Sequence, residues 1–500
     1  MAGKKAKDKG MKAKTKNKKA EKETTQGLSV KKSSDFSEWY NELVQKAGLA
    51  DYAPIAGCMV IKPHGYAIWE AIRTWFDARI KATGHSNLYM PLFIPEKLLK
   101  KEAEHFEGFT PEVAWIEEEG EKGEGKERFA LRPTSETIFY ESYSKWIRSW
   151  RDLPVLYNQW ANIIRWETKA TRLFLRTREF LWQEGHTAHA TEAEADKEAR
   201  WAASSLYKEL METQLAVPVL LGTKTPRERF AGAQKTYTLE ALMPDGKALQ
   251  MGTSHNLGQN FSKPFNIKFR DKDEKERYVW QTSWGSSTRL IGSVVMTHGD
   301  DKGLVLPPNI APIQVVVVPI IFEDSKKAVM KAAGELATKL STSFKVECDC
   351  RQEYSAGWKF NEWEMKGVPL RIEIGPKDMK KKQAVLVRRD TGTKKAVKLS
   401  GIEKEIPKEL AAIQKGLFEK AKRFLKANTV NVKAFPELEK AIAAKKMAKT
   451  EICGAEKCED MIQDKTAATV RLVVENEKPK GKCVACNQSA NHVVYVAKQY

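Results

Sequence analysis

Between Asn162 and His186 the chain reads NIIRWETKATRLFLRTREFLWQEGH, dense in guanidinium, aromatic, carboxylate and imidazole groups. The pattern predicts two strands around a polar loop. On the second strand alternate residues share a face, which sets Phe174, Arg176, Arg178, Phe180, Trp182, Glu184 and His186 together. Such a face makes a poor hydrophobic core and a good floor for a polyphosphate attached to a flat base. Arg176 offers the planar fork that phosphate oxygens accept. Phe180 follows it on the same face as a stacking surface, and Arg165 closes the preceding strand with Glu167 just beyond.

Other polar clusters lie outside this stretch. Leu131-Arg132-Pro133-Thr134-Ser135-Glu136 runs from a strand into a helix, where Thr134 or Ser135 can cap and Glu136 falls in the first turn. In QMGTSHNLGQNF, His255 stands among Gly, Ser, Thr and Asn rather than on an apolar face. In TSWGSSTRLIGSVVMTH, Gly285 lets a ligand approach the backbone. Ser287 and Arg289 are expected to alternate onto one strand face before an apolar helix. The pair Asp300-Asp301 could hold Mg²⁺ but is not assigned to the site. Four of the seven cysteines form Cys453-x₄-Cys458 and Cys483-x₂-Cys486 around the strand TVRLVVE. That is the usual presentation of a Cys₄ zinc site, closed and structural. It would fix a small domain that burial alone does not order. His492 is an alternative to Cys486 as fourth ligand.

The elements that must position these groups show in the periodicity. FSEWYNELVQKAGL is helical, and Ile68, Ile72, Trp75, Phe76, Arg79 and Ile80 recur at three- and four-residue steps behind Pro63. NLYMPLFIP reads as a short apolar strand carrying Pro91. Thr191-x-x-Glu194 is a capping box opening a helix to about Gln214. Residues 187–250 have room for about one helix, a strand and a loop. From Pro312 the run IQVVVVPII reads as a strand buried on both faces, and strands then alternate with helices, giving a small α/β domain. Residues 403–447 are basic and helical. The expected units are a tail over 1–34, a catalytic domain over 35–309, an α/β domain over 310–408 and a cysteine-bearing domain over 409–500.

The 500 residues carry a net charge of +20. Residues 1–34 hold twelve lysines against three acids, 12 − 3 = +9, which leaves +11 elsewhere. A tail of this composition cannot bury enough apolar surface to order itself; it either solubilises the chain or loosely holds a polyanion or another protein. The excess charge favours a polyanionic partner. No long apolar run predicts a membrane span, no signal segment is evident, and the cytoplasm is the expected compartment.

The spacing Arg165-x-Glu167, a loop, then Arg176-x-x-x-Phe180 resembles motif 2 of the class II aminoacyl-tRNA synthetases. TSWGSSTR resembles motif 3, and the Pro63 helix leading toward Pro91 is similar to motif 1, the dimer interface of that class. The wording RTREFLWQEGH, the triplet Thr134-Ser135-Glu136 and the run GWKFNEWEMKGVPLRIEIGPKDM resemble the prolyl-tRNA synthetases of eukaryotic and archaeal type. The resemblance implies an α/β protein: an antiparallel class II catalytic sheet flanked by helices, an anticodon-binding domain and a C-terminal zinc-binding α+β module. It implies a ligase that activates L-proline with ATP and Mg²⁺ and charges tRNA(Pro), as a homodimer, with other synthetases or a scaffold as possible partners of the tail. Arg165 and Arg289 would be catalytic. ATP would meet Arg165, Glu167, Arg176, Thr177, Phe180, Gln250, Thr253, Ser287 and Arg289. Proline would meet Thr134, Glu136, Arg165, Trp182, Glu184, His186 and His255. Glu373 and Arg388 are candidates for anticodon contacts. Bacterial-type members carry an editing domain between motifs 2 and 3, for which this chain has no room. A synthetase-like RNA-binding protein without catalysis should have lost the phosphate-binding arginines, and all three are present. A threonine enzyme needs a metal in its amino-acid pocket, for which the catalytic region offers no Cys/His set.

Overall fold

The computed structural model describes residues 27–103, 113–117, 128–166 and 170–500. Most of the expected tail, and Glu167, lie outside the described residues. The helix Phe36–Lys46 is capped by Asp35, whose Oδ1 accepts from the backbone N–H of Ser37 and Glu38 at 3.0 Å. The helix Pro63–Lys81 starts on its proline and buries Ile68, Trp69, Ile72, Phe76 and Ile80, each contributing about 1.5–3 kcal/mol. The Thr191–Glu194 capping box opens the helix Glu192–Trp201, which continues in wider π-helical turns to Gln214.

Among the described residues, eleven strands join in one sheet. Its order is Thr429–Asn431, Met447–Ile452, His492–Gln499, Thr469–Val473, Leu220–Thr223, Lys235–Leu242, Lys247–Gly258, Trp280–Ser287, Glu179–His189, Val155–Ile164 and Ser86–Asn87. The central ladders are antiparallel. The strand His492–Gln499 also pairs in parallel with Lys247 and Ala248, so the C-terminal strands extend the catalytic sheet rather than hang beside it. From 187 to 250 the chain forms strands of that sheet, the helix behind it and the loops joining them, with two full strands, Leu220–Thr223 and Lys235–Leu242, where one was expected.

The stretch NLYMPLFIP is not one strand. Ser86–Asn87 adds to the edge of the main sheet, whereas Phe93–Pro95 joins a separate three-stranded sheet. Pro91 has no N–H for a ladder, which suits the break between them. Over its described part, residues 27–34, the expected disordered tail is instead docked. Leu28 and Val30 pack on the core, Ser29 N donates to Glu42 Oε2 at 2.8 Å, and Lys32 Nζ donates to the carbonyls of Met296 and Gly299 at 2.8 and 2.7 Å. Two apolar side chains and waiting acceptors outweigh the polar composition.

Residues 314–398 build a five-stranded sheet ordered Val346–Cys348, Val315–Pro319, Leu370–Ile374, Gln383–Arg388 and Lys394–Lys398. The strand Val315–Pro319 is buried at every position. A disulfide joins Cys348 and Cys350, a pairing the odd cysteine count does not suggest. The expected boundary at 408 falls inside the helix Ile402–Ala427. Ile402, Ile406 and Leu410 pack on the α/β domain, and Ile413 and Leu417 pack against Ala216 and Val305 of the catalytic part. Among the described residues no helix is long and apolar enough to cross a membrane.

Candidate active site

Strand register builds the site. Glu184 stands opposite Gly285, and Gly285 opposite Thr253. His186 stands opposite Ser283, and Ser283 opposite His255; Trp182 stands opposite Ser287. Directly opposed residues share a face, so three strands present one polar floor. From Phe180 onward the expected alternation holds. Before it, the expectation fails: the second strand begins at Glu179. Phe174 has φ 61° and Arg172 bridges to Arg176 in a tight turn. A left-handed residue cannot continue a pleat, so Phe174, Arg176 and Arg178 lie on a folded loop. Likewise the motif 3 strand ends at Ser287, and Arg289 opens the helix Arg289–His298 instead of sharing a strand face with Ser287. The two still touch, with Arg289 N donating to Ser287 Oγ at 3.3 Å.

Thr134, Glu136, Arg165, Trp182, Glu184, His186 and His255 all line one small cavity, with Phe230, Ser283, Trp284 and Gly285. Glu184 is buried, which favours its neutral form. Hydrogen bonds from His186 Nε2 at 3.0 Å, Ser135 Oγ at 2.6 Å and Gln159 Nε2 at 2.7 Å outweigh that burial and hold its carboxyl below the usual range. A carboxylate only accepts, so His186 Nε2 carries the proton. Phe139 stacks on the His186 ring at 4.1 Å. Burial, and then the neighbouring His186, push His255 down to about 3, so it is a neutral imidazole at pH 7. Its Nδ1 lies 2.9 Å from Thr236 Oγ1 and its ring leans on Phe230. The Thr134 hydroxyl donates to Glu136. Ser135 occupies the helix N-cap without capping through its side chain, because its hydroxyl is spent on Glu184. Trp182 Nε1 and Ser283 Oγ are buried without a hydrogen-bond partner among the described residues, as groups awaiting a ligand are. Two buried carboxylates beside a neutral imidazole and aromatic walls suit a small, partly apolar ammonium.

Ser283, Phe230, Ser135 and Gln159 are additions to the sequence reading. Ser283 shares strand parity with Ser287 and was legible in principle. Phe230 sits in a loop without periodicity and gave no signal.

Next to this cavity the arginines gather. Arg289 is half-buried; its Nε donates to Leu175 O at 3.1 Å and its Nη1 to Gln250 O at 3.2 Å. Burial first, then the fields of Arg165 and Arg176, push its guanidinium down to about 10, partly offset by Glu240. It therefore stays charged at pH 7. Arg165 donates to Pro133 O at 3.2 Å, and its guanidinium lies 5.6 Å from the Phe180 ring centre and 5.8 Å from that of Trp182. Thr177 is buried, with its hydroxyl donating to Glu179 O at 2.7 Å. Gathered cations of this kind focus a positive field on a polyanion. Asp300 is engaged elsewhere, bound by Arg389 at 2.6 and 2.8 Å, and Asp301 accepts from Lys32 N.

The four C-terminal thiols converge. Their sulfurs all lie within 4.8 Å of one another, with Cys453 Sγ 3.5 Å from Cys458 Sγ and 3.8 Å from Cys486 Sγ. Tetrahedral zinc with bonds of about 2.3 Å needs sulfurs about 3.8 Å apart. The donor set fits, with Cys486 rather than His492 in the cluster. Glu373 and Arg388 are not brought together. Arg388 pairs across the sheet with Leu370, and Glu373 with Val385, so the two face opposite ways. Glu373 is bound by Arg371 at 3.0 Å and Lys394 at 3.1 Å, and Arg388 by Asp390 at 2.7 Å.

Comparison with known proteins agrees with this architecture. Residues 115–298 match the tRNA synthetase class II core domain (G, H, P, S and T), and residues 314–409 match an anticodon binding domain. Fold and site thus define a class II synthetase. Residues 435–500 match the C-terminal domain of prolyl-tRNA synthetase. A proline–tRNA ligase of Natranaerobius thermophilus is 52% identical over 471 residues, covering 94% of this chain and 97% of that protein. One from the archaeon Cenarchaeum symbiosum is 49% identical over 476 residues, covering 95% and 99%. A crystal structure of prolyl-tRNA synthetase from Cryptosporidium parvum, complexed with halofuginone and AMPPNP, matches with a TM-score of 0.89 at 40% identity, covering 96% of this chain and 98% of that one. The chain belongs to the prolyl-tRNA synthetase family.

Proposed function

We propose that this chain activates L-proline with ATP and transfers it to tRNA(Pro). The observation that carries the reading is the single cavity uniting Thr134, Glu136, Glu184, His186 and His255 beside Arg165. Proline's ammonium has only two N–H bonds, which Thr134 and Glu136 can accept. The ring would lie against Trp182, Phe230 and His255, whose neutral state adds no competing cation. Proline's carboxylate oxygen attacks the α-phosphorus of ATP; pyrophosphate leaves, and prolyl-adenylate remains. A hydroxyl of the terminal tRNA ribose then attacks the prolyl carbonyl, and AMP leaves.

No side chain serves as a covalent nucleophile. Arg165 holds the carboxylate and the α-phosphate, Arg176 and Arg289 hold the outer phosphates, and Phe180 stacks on adenine, with Thr177, Gln250, Thr253 and Ser287 around them. Catalysis is positioning with charge neutralisation. Mg²⁺, arriving with ATP, would share the phosphate charge. Proline-dependent ATP–pyrophosphate exchange by the purified chain tests this; equal exchange with threonine, or none with proline, would refute it.

Zinc on Cys453, Cys458, Cys483 and Cys486 would tie the ends of the C-terminal domain together and take no part in the reaction. Elemental analysis should find about one zinc per chain, and Cys486→Ser should lower it. We further place the chain in the cytoplasm as a homodimer. Light scattering at micromolar concentration decides the dimer, and cell fractionation the compartment.

A further inference from the structure

Behind the arginine cluster lies a buried ionic triad drawn from two domains. Glu240, on the strand Lys235–Leu242, is fully buried. Its Oε1 accepts from Lys224 Nζ at 2.9 Å and Thr238 Oγ1 at 3.0 Å. Arg471, on the strand Thr469–Val473 of the C-terminal domain, grips both carboxylate oxygens at 3.1 to 3.2 Å. The remaining Arg471 donors go to Thr469 Oγ1 at 3.0 Å and Gln499 Oε1 at 2.6 Å, and Lys224 also donates to Arg471 O at 3.0 Å.

The triad's location sets it apart from a simple clamp between domains. Glu240 stands directly opposite Gln250, and the Gln250 carbonyl is the one that accepts from Arg289 Nη1. One strand pairing therefore separates a buried carboxylate from a phosphate-binding guanidinium. Glu240 acts electrostatically on the Arg289 guanidinium, and such an interaction is stronger where water is scarce. Without its cationic partners Glu240 would draw Arg289 back from the cleft and repel the phosphates.

We propose that Arg471 is a positioning residue for nucleotide binding: by gripping Glu240 from the C-terminal domain, it keeps that carboxylate off Arg289. The proposal rests on Arg289 meeting ATP as described above. It gives the C-terminal domain a direct share in ATP affinity, in addition to its part in the fold.

The test uses the full-length chain, with ATP affinity read by calorimetry as well as by exchange kinetics. Arg471→Met should weaken ATP binding about tenfold or more while KM for proline moves less than about twofold. Glu240→Gln/Arg471→Met should recover ATP affinity to within about threefold of wild type, because a neutral amide leaves nothing to restrain. Unchanged ATP affinity in Arg471→Met, or an equal loss for ATP and proline that the double variant does not recover, overturns the proposal. If Arg471→Met does not fold at the assay temperature, Arg471→Lys decides. It keeps the charge without the fork, and it should weaken ATP binding severalfold with recovery in Glu240→Gln/Arg471→Lys; unchanged affinity overturns the proposal. A wild-type chain that binds ATP yet shows no proline-dependent exchange would sink the functional reading alone, since the calorimetric comparison still decides the role of Arg471.

Discussion

The substrate cavity and the sheet of the anticodon-binding domain treat charge in opposite ways. In the anticodon-binding domain the buried and partly buried charges named above have partners: Glu373 with Arg371 and Lys394, Arg388 with Asp390 and Glu409, and likewise Asp349 with Arg351 and Lys359. In the catalytic cleft the half-buried Arg289 feels Arg165 and Arg176, and its donors meet backbone carbonyls, with no carboxylate in ion-pair reach among the described residues. Gathering like charges at one place is unfavourable unless a ligand of opposite charge repairs it. Pairing therefore marks framework here, and the gathering of guanidinium groups marks the place where we propose a polyanion binds.

That contrast breaks most visibly at the arginines. Arg165→Ala and Arg289→Ala should each cut proline-dependent exchange at least about a hundredfold, roughly the 2.7–4 kcal/mol of a lost transition-state donor. Rates within tenfold of wild type would remove those residues from the reaction.

The next effect concerns protons. His255 is held down to about 3 and His298 to about 4, in both cases chiefly by burial. The unfolded chain binds these protons below about pH 6.5 and the folded chain does not, so stability is complete above that pH and falls on acidification. At pH 5 each histidine should cost about 2 kcal/mol. Melting curves at pH 7 and pH 5 should show a smaller acid loss in His255→Gln than in wild type; equal losses would mean His255 is protonated in the native state. The smallest effect should lie among the paired charges. Arg388→Ala, removing a partly exposed pair, should cost at most about 1 kcal/mol in thermal unfolding and leave exchange within about twofold. A larger drop in exchange would erase the distinction between the two regions.

Much of the site was legible because strand alternation is local. Phe180, Trp182, Glu184 and His186 follow from a period of two. The registers that bring His255 opposite Ser283, and Thr253 opposite Gly285, are set by tertiary pairing and leave no trace in spacing. The same limit hid the turn at Phe174, whose positive φ is imposed by its surroundings. It also hid the docking of residues 27–34, where a lysine-rich composition masked two apolar anchors. The Glu240–Arg471 grip joins residues 231 positions apart, beyond any reading of local pattern. The cysteine pairs were legible because their short spacings are themselves the geometry.

The ammonium of Lys32 sits on the final carbonyls of the helix Arg289–His298, where a cation is favoured by the helix dipole. Trimming the chain beyond Lys32 would thus loosen one end of the rod whose other end carries Arg289. Expression variants shortened at the N-terminus should stop ahead of Leu28, and a fused tag should be joined there through slack linker rather than pulled taut against this anchor.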